Sequence, residues 1–234
     1  MSFAGRVLHF PEGRALGHLY NLLPDGSWDD LGRAQGDLWV PRGARLHLTV
    51  TEPRELPALA ALDPHALFSL DLHRLEVRDA QFAALGRLTG LRRLFLSRTP
   101  GVGDGAIAHL RGLWALKSLS LDHTSLTDAG LPSLRGLGAL QELDLSHTAI
   151  TGNGLGSLRR LSALRRLDLS HTRVDDAAVL ALRALPRLEE LVLRATRVTA
   201  RGAQILCGGG RRLSVVGDLA QNELRAGGAT LARG

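Results

Sequence analysis

The line ALQELDLSHTAITGNGLGSLRRL, residues 139–161, recurs on both sides of itself. LRRLFLSRTPGVGDGAIAHLRGL (91–113) and ALKSLSLDHTSLTDAGLPSLRGL (115–137) precede it, and ALRRLDLSHTRVDDAAVLALRAL (163–185) and RLEELVLRATRVTARGAQILCGG (187–209) follow. The first leucines are Leu91, Leu116, Leu140, Leu164 and Leu188, a period of 24 residues with a single step of 25. A fixed period in this range marks an array of stacked units, each touching only its neighbours.

Counting each line from its first leucine as position 0, leucines at 0, 3 and 5 contain an alternating pair. That period of two predicts a short strand with one buried face. Position 8 is threonine in all five lines (Thr99, Thr124, Thr148, Thr172, Thr196), and its hydroxyl is expected to bond backbone groups freed where the chain leaves the strand. Position 10 is apolar, and position 11 is a helix N-cap type at Thr127, Thr151, Asp175 and Thr199. A helix is expected next, with a small residue (Ala106, Gly130, Gly154, Ala178, Gly202) on its inward face and close approach to the sheet as the reason for glycine. One unit buries too few side chains to offset its backbone entropy of about 1 to 2 kcal/mol per residue, so stability requires stacking. Strands then form a parallel sheet on the concave side, and the wider helices lie on the convex side.

Stepping back from Leu91 gives a degenerate line at Leu67 and a poorer one at Gly43, so the array is expected over 43–207 as about seven repeats, the first two degenerate. Residues 1–42 read as a small β-rich N-terminal cap, with GDLWVPRGARLHLTV forming two alternating segments around the turn Pro41-Arg42-Gly43. Phe3, Phe10, Tyr20, Trp28 and Trp39 are expected to pack as its core over the open end of the array. Residues 208–234 read as a C-terminal cap with a strand around Leu213 to Val216, after Gly208, Gly209 and Gly210, and a frayed tail from Gly227.

No apolar run is long enough for a membrane span, and the beginning of the chain lacks signal-peptide character. With one cysteine, Cys207, no internal disulfide can form, and the cytoplasm is the expected location. The net charge of +6 raises nucleic acid or anionic membrane as a partner, but arginine is abundant and lysine almost absent, a usage that a GC-rich genome produces without any binding role.

The recurring LxxLxLxxTxV(T/D)DxGL pattern, seen as LKSLSLDHTSLTDAGL and LRRLDLSHTRVDDAAV, resembles the leucine-rich repeat. It is similar in particular to the cysteine-containing class of F-box substrate receptors and of bacterial GALA-type effectors. The resemblance covers about residues 67 to 207 well and 43 to 66 poorly. Threonine replaces the class's cysteine, the line is shorter by about two residues, and no F-box pattern precedes it. The resemblance implies an α/β leucine-rich-repeat horseshoe of bacterial type that binds other proteins on its concave face.

Positions 2, 4 and 6 are expected to face away from the leucines and form that surface. They hold six acids and three arginines, a sum of −3 in a chain of net charge +6. Asp122, Glu142, Asp144 and Asp168 form an acidic centre, with Arg93 and Phe95 on its N-terminal side and Arg166 within it. This predicts a partner-binding face for a basic or amphipathic protein segment. Lysines at Asp144 and Asp168 are expected to abolish capture with no shift in melting temperature.

His123, His147 and His171 form a ladder at position 7, but zinc needs donors converging at about 2.0 to 2.3 Å from one point, and a straight ladder spreads its outer members by roughly 10 Å. No metal or cofactor is expected. The Asp-Leu-Ser-His strings lack a separate convergent nucleophile and base, and the 208–210 glycines lack a P-loop's Lys-Ser/Thr, so no catalytic residues are assigned. Arg92-Arg93, Arg159-Arg160, Arg165-Arg166 and Arg211-Arg212 are the case for nucleic acid, outweighed by the acidic columns. The sequence therefore reads as a non-enzymatic, monomeric protein-binding scaffold, with a regulatory or effector subunit of an enzyme complex as the alternative.

Overall fold

In a computed structural model of the chain, the structure describes residues 5–207 and 212–218, and the backbone of 231–232. Phe3, glycines 208–210, Arg211 and most of the tail expected from Gly227 lie outside the described residues.

The strands are β1 (Gly5–His9), β2 (Gly17–Leu22), β3 (Trp28–Arg33), β4 (Asp37–Pro41) and β5 (Arg45–Val50), then three-residue strands. These are β6 (Ser69–Asp71), β7 (Arg93–Phe95), β8 (Ser118–Ser120), β9 (Glu142–Asp144), β10 (Arg166–Asp168), β11 (Glu190–Val192) and β12 (Ser214–Val216), with β13 (Leu231–Ala232) last. One 11-stranded sheet runs β13-β12-β11-β10-β9-β8-β7-β6-β5-β2-β3. It is parallel from β5 onward, with Leu70, Leu94, Leu119, Leu143, Leu167 and Leu191 in mutual register and buried. The fold is an α/β leucine-rich-repeat solenoid.

Each repeat strand holds positions 2 to 4 only, so position 6 lies in the turn beyond it; Ser146 and Ser170 there are buried rather than presented on the surface. Position 7 is left-handed in six repeats: Arg74, Arg98, His123, His147, His171 and Ala195 have φ between 50° and 58°. Non-glycine residues seldom adopt this conformation. In five of the six the threonine at position 8 ties the turn; after Arg74 the residue is Leu75, whose N–H donates to the Leu72 carbonyl at 3.4 Å. Thr124, Thr148, Thr172 and Thr196 donate through Oγ to the position-5 carbonyls of Leu121, Leu145, Leu169 and Leu193 at 2.6–2.9 Å. Thr99 instead donates to the Leu72 carbonyl of the preceding repeat at 3.0 Å, so the structural role expected of these hydroxyls holds in every line.

The convex side departs from the expectation of one helix per line. Only α1 (Asp104–Ala108), α2 (Asp176–Ala181) and α3 (Ala200–Cys207) are α-helical among the described residues; Leu131–Gly136 and Leu155–Arg160 are 3₁₀ turns. A 3₁₀ helix rises about 2.0 Å per residue against about 1.5 Å for an α-helix, so it crosses the repeat with fewer residues, as a short line requires.

The glycines face the preceding repeat, not the sheet. A Cβ on Gly130 would stand 2.4 Å from Asp104 Oδ1, one on Gly202 2.1 Å from Asp176 Oδ1, and one on Gly154 2.6 Å from the Asp128 carbonyl oxygen. These aspartates accept from the threonines expected as N-caps. Thr127 donates through N and Oγ1 to Asp104 at 2.9 and 2.6 Å, and Thr199 does so to Asp176 at 2.7 Å each. Asp175 is the exception, capping Ala178 N at 3.0 Å with no aspartate of the preceding repeat to bond, whereas Thr199 both bonds Asp176 and accepts from Gly202 N at the start of α3 at 3.4 Å.

That exception is explained by its neighbour. Gly152 stands where the aspartate would be, and a Cβ there would meet Ala178 Cβ at 2.2 Å. With no carboxylate to receive a hydroxyl, position 11 is free to be Asp175; with no carboxylate to accommodate, the usual glycine becomes Ala178. Gly154→Ala is expected to destabilise by about 1 to 3 kcal/mol because backbone must move. Gly156→Ala, in open space in the same turn, should instead stabilise by up to about 1 kcal/mol. Equal melting temperatures for the two variants would refute this.

At the N-terminal end, β4 and β5 flank the predicted turn at Gly43 (φ 79°) but do not pair with each other. β4 pairs with β1 in a separate two-stranded sheet, while β5 pairs antiparallel with β2 and parallel with β6. The aromatic core expected there is corrected. Leu8, Phe10, Leu16, Leu19 and Val40 are buried, whereas Trp28 and Trp39 are 47% and 50% exposed. Aliphatic residues on alternating strands suffice to continue the leucine core, which leaves the large rings free for the surface. The strand expected around Leu213 to Val216 is β12, parallel to β11 and continuing the array.

Candidate functional site

The sheet face away from the leucines carries all seven residues singled out above. Arg93 and Phe95 lie on β7, Glu142 and Asp144 on β9, and Arg166 and Asp168 on β10; Asp122 lies in the turn after β8. Asp144 and Asp168 are register partners. Arg166 pairs with Glu190 at 2.6 Å, on its other side from Glu142, and Glu142 accepts from Ser118 Oγ at 3.0 Å.

The aspartates are engaged by the backbone and by neighbouring hydroxyls. Asp144 and Asp168 accept from the N–H groups of Ser146 and Ser170 at 2.9 and 2.8 Å, closing the turn that follows each strand. Asp122 accepts from Ser120 Oγ at 2.9 Å and faces His123 Nδ1 at 3.1 Å. Burial pushes its carboxyl up, but bonds from Ser97, Ser120 and His123 outweigh burial and hold it below the usual range. Asp144 is raised, by burial first and by the charges of Asp168 and Asp122. Lysine at Asp144 or Asp168 would strand a turn N–H, so the expectation of an unchanged melting temperature does not survive; Glu142→Lys, on an exposed side chain, avoids that loss.

A group absent from the sequence-derived site lies beside it. On β2 and β5 the core takes Gly17, Leu19, Leu46 and Leu48, which turns Tyr20 and His47 to the opposite, concave face. There the His47 ring lies 4.9 Å from Trp28, 6.1 Å from Tyr20 and 6.4 Å from Phe95 between centroids. Its nitrogens bond Ser69 Oγ at 2.8 Å and Thr49 Oγ1 at 3.0 Å, which fixes the ring. Burial, with Arg93 nearby and Asp71 opposing, lowers its pKa. The available signal was the alternation of GHLYNL and RLHLTV, where Tyr20 and His47 fall between the apolar residues.

The histidine ladder is a stack. His123, His147 and His171 lie with centroids 3.9 and 4.0 Å apart and interplanar angles of 18° and 13°, because the left-handed turn aims position 7 identically in each repeat. Parallel rings send their nitrogens side by side, not to one point, and among the described residues no group of three His, Cys, Asp or Glu is placed to hold a metal. Burial lowers the pKa of His147, its two neighbouring imidazoles lower it further, and Asp122 and Asp144 oppose them. Its nitrogen resonances should therefore titrate below an ordinary imidazole at about 6.5. Between those values the unfolded chain binds the extra proton, so stability is full above the window and falls as pH drops through it. An NMR titration of wild type and of His123→Ala with His171→Ala should show His147 moving up in the variant; no movement rejects the coupling.

Residues 114–174 match the family model described as Leucine rich repeat. Among solved structures, the chain is similar to internalin C2 of Listeria monocytogenes, at 24% identity and a TM-score of 0.60 over 76% of this chain and 74% of that one. It is also similar to an internalin, inlF, of the same organism, at 19% identity and a TM-score of 0.42 over 75% of this chain and 62% of that one. No curated protein matches it. None of these matches is to the GALA-type class. Among the described residues, no helix is long and apolar enough to cross a membrane.

Proposed function

The chain is a leucine-rich-repeat solenoid, and on that premise we propose that it is a non-enzymatic scaffold that holds a segment of a partner protein against its concave sheet face. The observation that carries this reading is the aromatic row Trp28, Tyr20, His47 and Phe95. It crosses the sheet from β3 to β7, with Trp28 47% exposed. Aromatic anchors on a rigid support supply most of the binding energy of protein interfaces. A strand-built row loses little entropy when it is covered, and the hydrogen-bonded ring of His47 preorganises its centre.

An amphipathic segment suits this face better than a uniformly basic one. Its apolar side chains have the aromatic row to cover, and its donors have the outward oxygens of Asp144 and Asp168. Trp28→Ala with Tyr20→Ala is expected to weaken retention of partner proteins from a lysate of the source cell by at least about tenfold, since anchor truncations cost about 2 kcal/mol or more. Undiminished retention would refute the reading, as would turnover of small ester, phosphate or peptide substrates by the purified chain.

A further inference from the structure

Positions 1 and 2 of successive lines form the rim of the sheet where the strands begin. In the last repeats this rim is neutralised along its own columns: Arg165 pairs with Glu189 and Arg166 with Glu190, each at 2.6 Å. In the first repeats the cations are there without the acids. Arg45, Arg92, Arg93 and Lys117 line one cleft of about 400 Å³ together with Phe68 and Glu142. Glu142 is already engaged by Ser118, and among the described residues none of the four cations makes an ion pair.

The cleft is nonetheless held in shape. Arg45 donates to the Leu23 carbonyl at 3.1 Å and Arg92 to the Ala115 carbonyl at 2.9 Å. The Phe68 ring draws the guanidinium carbons of Arg45 and Arg93 to 5.6 and 5.9 Å from its centroid. Each guanidinium has five N–H donors, so most remain unspent. Four cations lining one cleft with a single carboxylate repel one another, and that repulsion is relieved when further carboxylates enter.

We propose that this cleft binds an acidic segment of a partner protein, one that places two or more carboxylates against Arg93 and Lys117 and an apolar side chain against Phe68. The proposal rests on the concave-face reading above and gives that partner a charge. Arginine forks receive carboxylates through paired hydrogen bonds. Nucleic acid fits less well, because its phosphates continue at short intervals and a strand leaving the cleft across the sheet meets Asp71, Asp144 and Asp168 farther along β6, β9 and β10. A peptide can end its acidic run at the rim and continue with apolar side chains over the aromatic row.

The test is selection of a phage-displayed random linear peptide library on the full chain, on Arg93→Ser with Lys117→Gln, and on Arg165→Gln with Glu189→Gln. Selected peptides should be rich in Asp and Glu beside an aliphatic or aromatic residue. A synthetic copy should bind the first variant at least tenfold more weakly and the second as it binds the wild type. Arg93→Lys with Lys117→Arg should keep most of the binding. Lys117 is the single lysine of the chain, so carbodiimide coupling of the peptide's carboxylates should map to it by mass spectrometry. Selected peptides without acids, or acidic peptides bound equally by all variants, would overturn the proposal while Trp28-dependent retention of partners still stands. A single-stranded oligonucleotide that outbinds every selected peptide, and depends on Arg93 and Lys117, would overturn both.

Discussion

Phe82→Ala is expected to cost about 3 to 5 kcal/mol, the largest effect of any single truncation in the chain. Phe82 is fully buried and the largest of the fully buried side chains. It occupies the helix-side column continued by Ile107, Leu131, Leu155, Val179 and Ala203, a column that narrows toward the C-terminal end. Its 3₁₀ turn, Asp79–Ala83, packs between the Pro53–Ala61 turn, with its buried Leu56 and Leu59, and α1. Truncation therefore opens a cavity where the first leucine layers meet the regular array, and the leucines on both sides lose contact. At roughly 2 to 4 °C per kcal/mol for a chain of this size, the melting temperature should fall by roughly 10 °C. Val179→Ala, a smaller deletion in the same column, should cost less, and equal losses for the two would refute the layered-core account.

Much of this was legible because the array repeats. Phe82 falls in register with the leucines of later lines, and the threonine column announces itself five times. Periodicity reports which residues are equivalent but not what they touch. It marks Gly130, Gly154 and Gly202 as one column, yet the aspartates they accommodate, through a carboxylate at Gly130 and Gly202 and a backbone carbonyl at Gly154, belong to the preceding repeat and lie on a different part of the line. Likewise Arg and Ala at position 7 carry no signal of a left-handed backbone and His only a weak one, since glycine and asparagine are absent there. Outside the array no positions are equivalent to one another. Trp28 is expected in the core because large rings usually are, but β3 is an edge strand with no buried residue, and the ring falls on the open face beside His47. The basic cleft does not show in the strand periodicity for a related reason. Phe68, Arg92 and Lys117 stand at position 1, just before each strand, and only positions 2, 4 and 6 were expected to reach the surface.

Electrostatics on the concave side are divided in the same way. The aspartates of the sheet's centre spend one oxygen each on turn N–H groups, while the arginines and the lysine of the first rim find no acids. A net charge of +6 is thus no measure of what the face attracts: its free charge is positive at one edge, and its fixed negative charge serves the fold.

Asp128→Ala is expected to be the most damaging loss of a polar group, about 3 kcal/mol. The carboxylate of Asp128 accepts from four donors of the next repeat: Thr151 N at 3.1 Å, Thr151 Oγ1, and the N–H groups of Gly152 and Gly154 at 3.2 Å each. Gly152, held at φ 107° by this arrangement, is buried. Alanine would leave three backbone N–H groups without their acceptor, and a buried unsatisfied donor costs about 1 to 3 kcal/mol; Thr151 and Gly154, only partly buried, recover some of this from water. Asp128→Asn keeps one acceptor oxygen and should lose about half as much. Asp104 and Asp176 each receive two bonds from their threonines, so alanine at either should cost less than at Asp128. Because each repeat touches only its neighbours, a weakened joint between the Leu116 and Leu140 lines should also let the two sides unfold separately, lowering the slope of the urea transition as well as its midpoint. Equal losses at the three aspartates, with an unchanged slope at Asp128, would show that the carboxylates act as surface polar groups and that the leucine layers alone join the repeats.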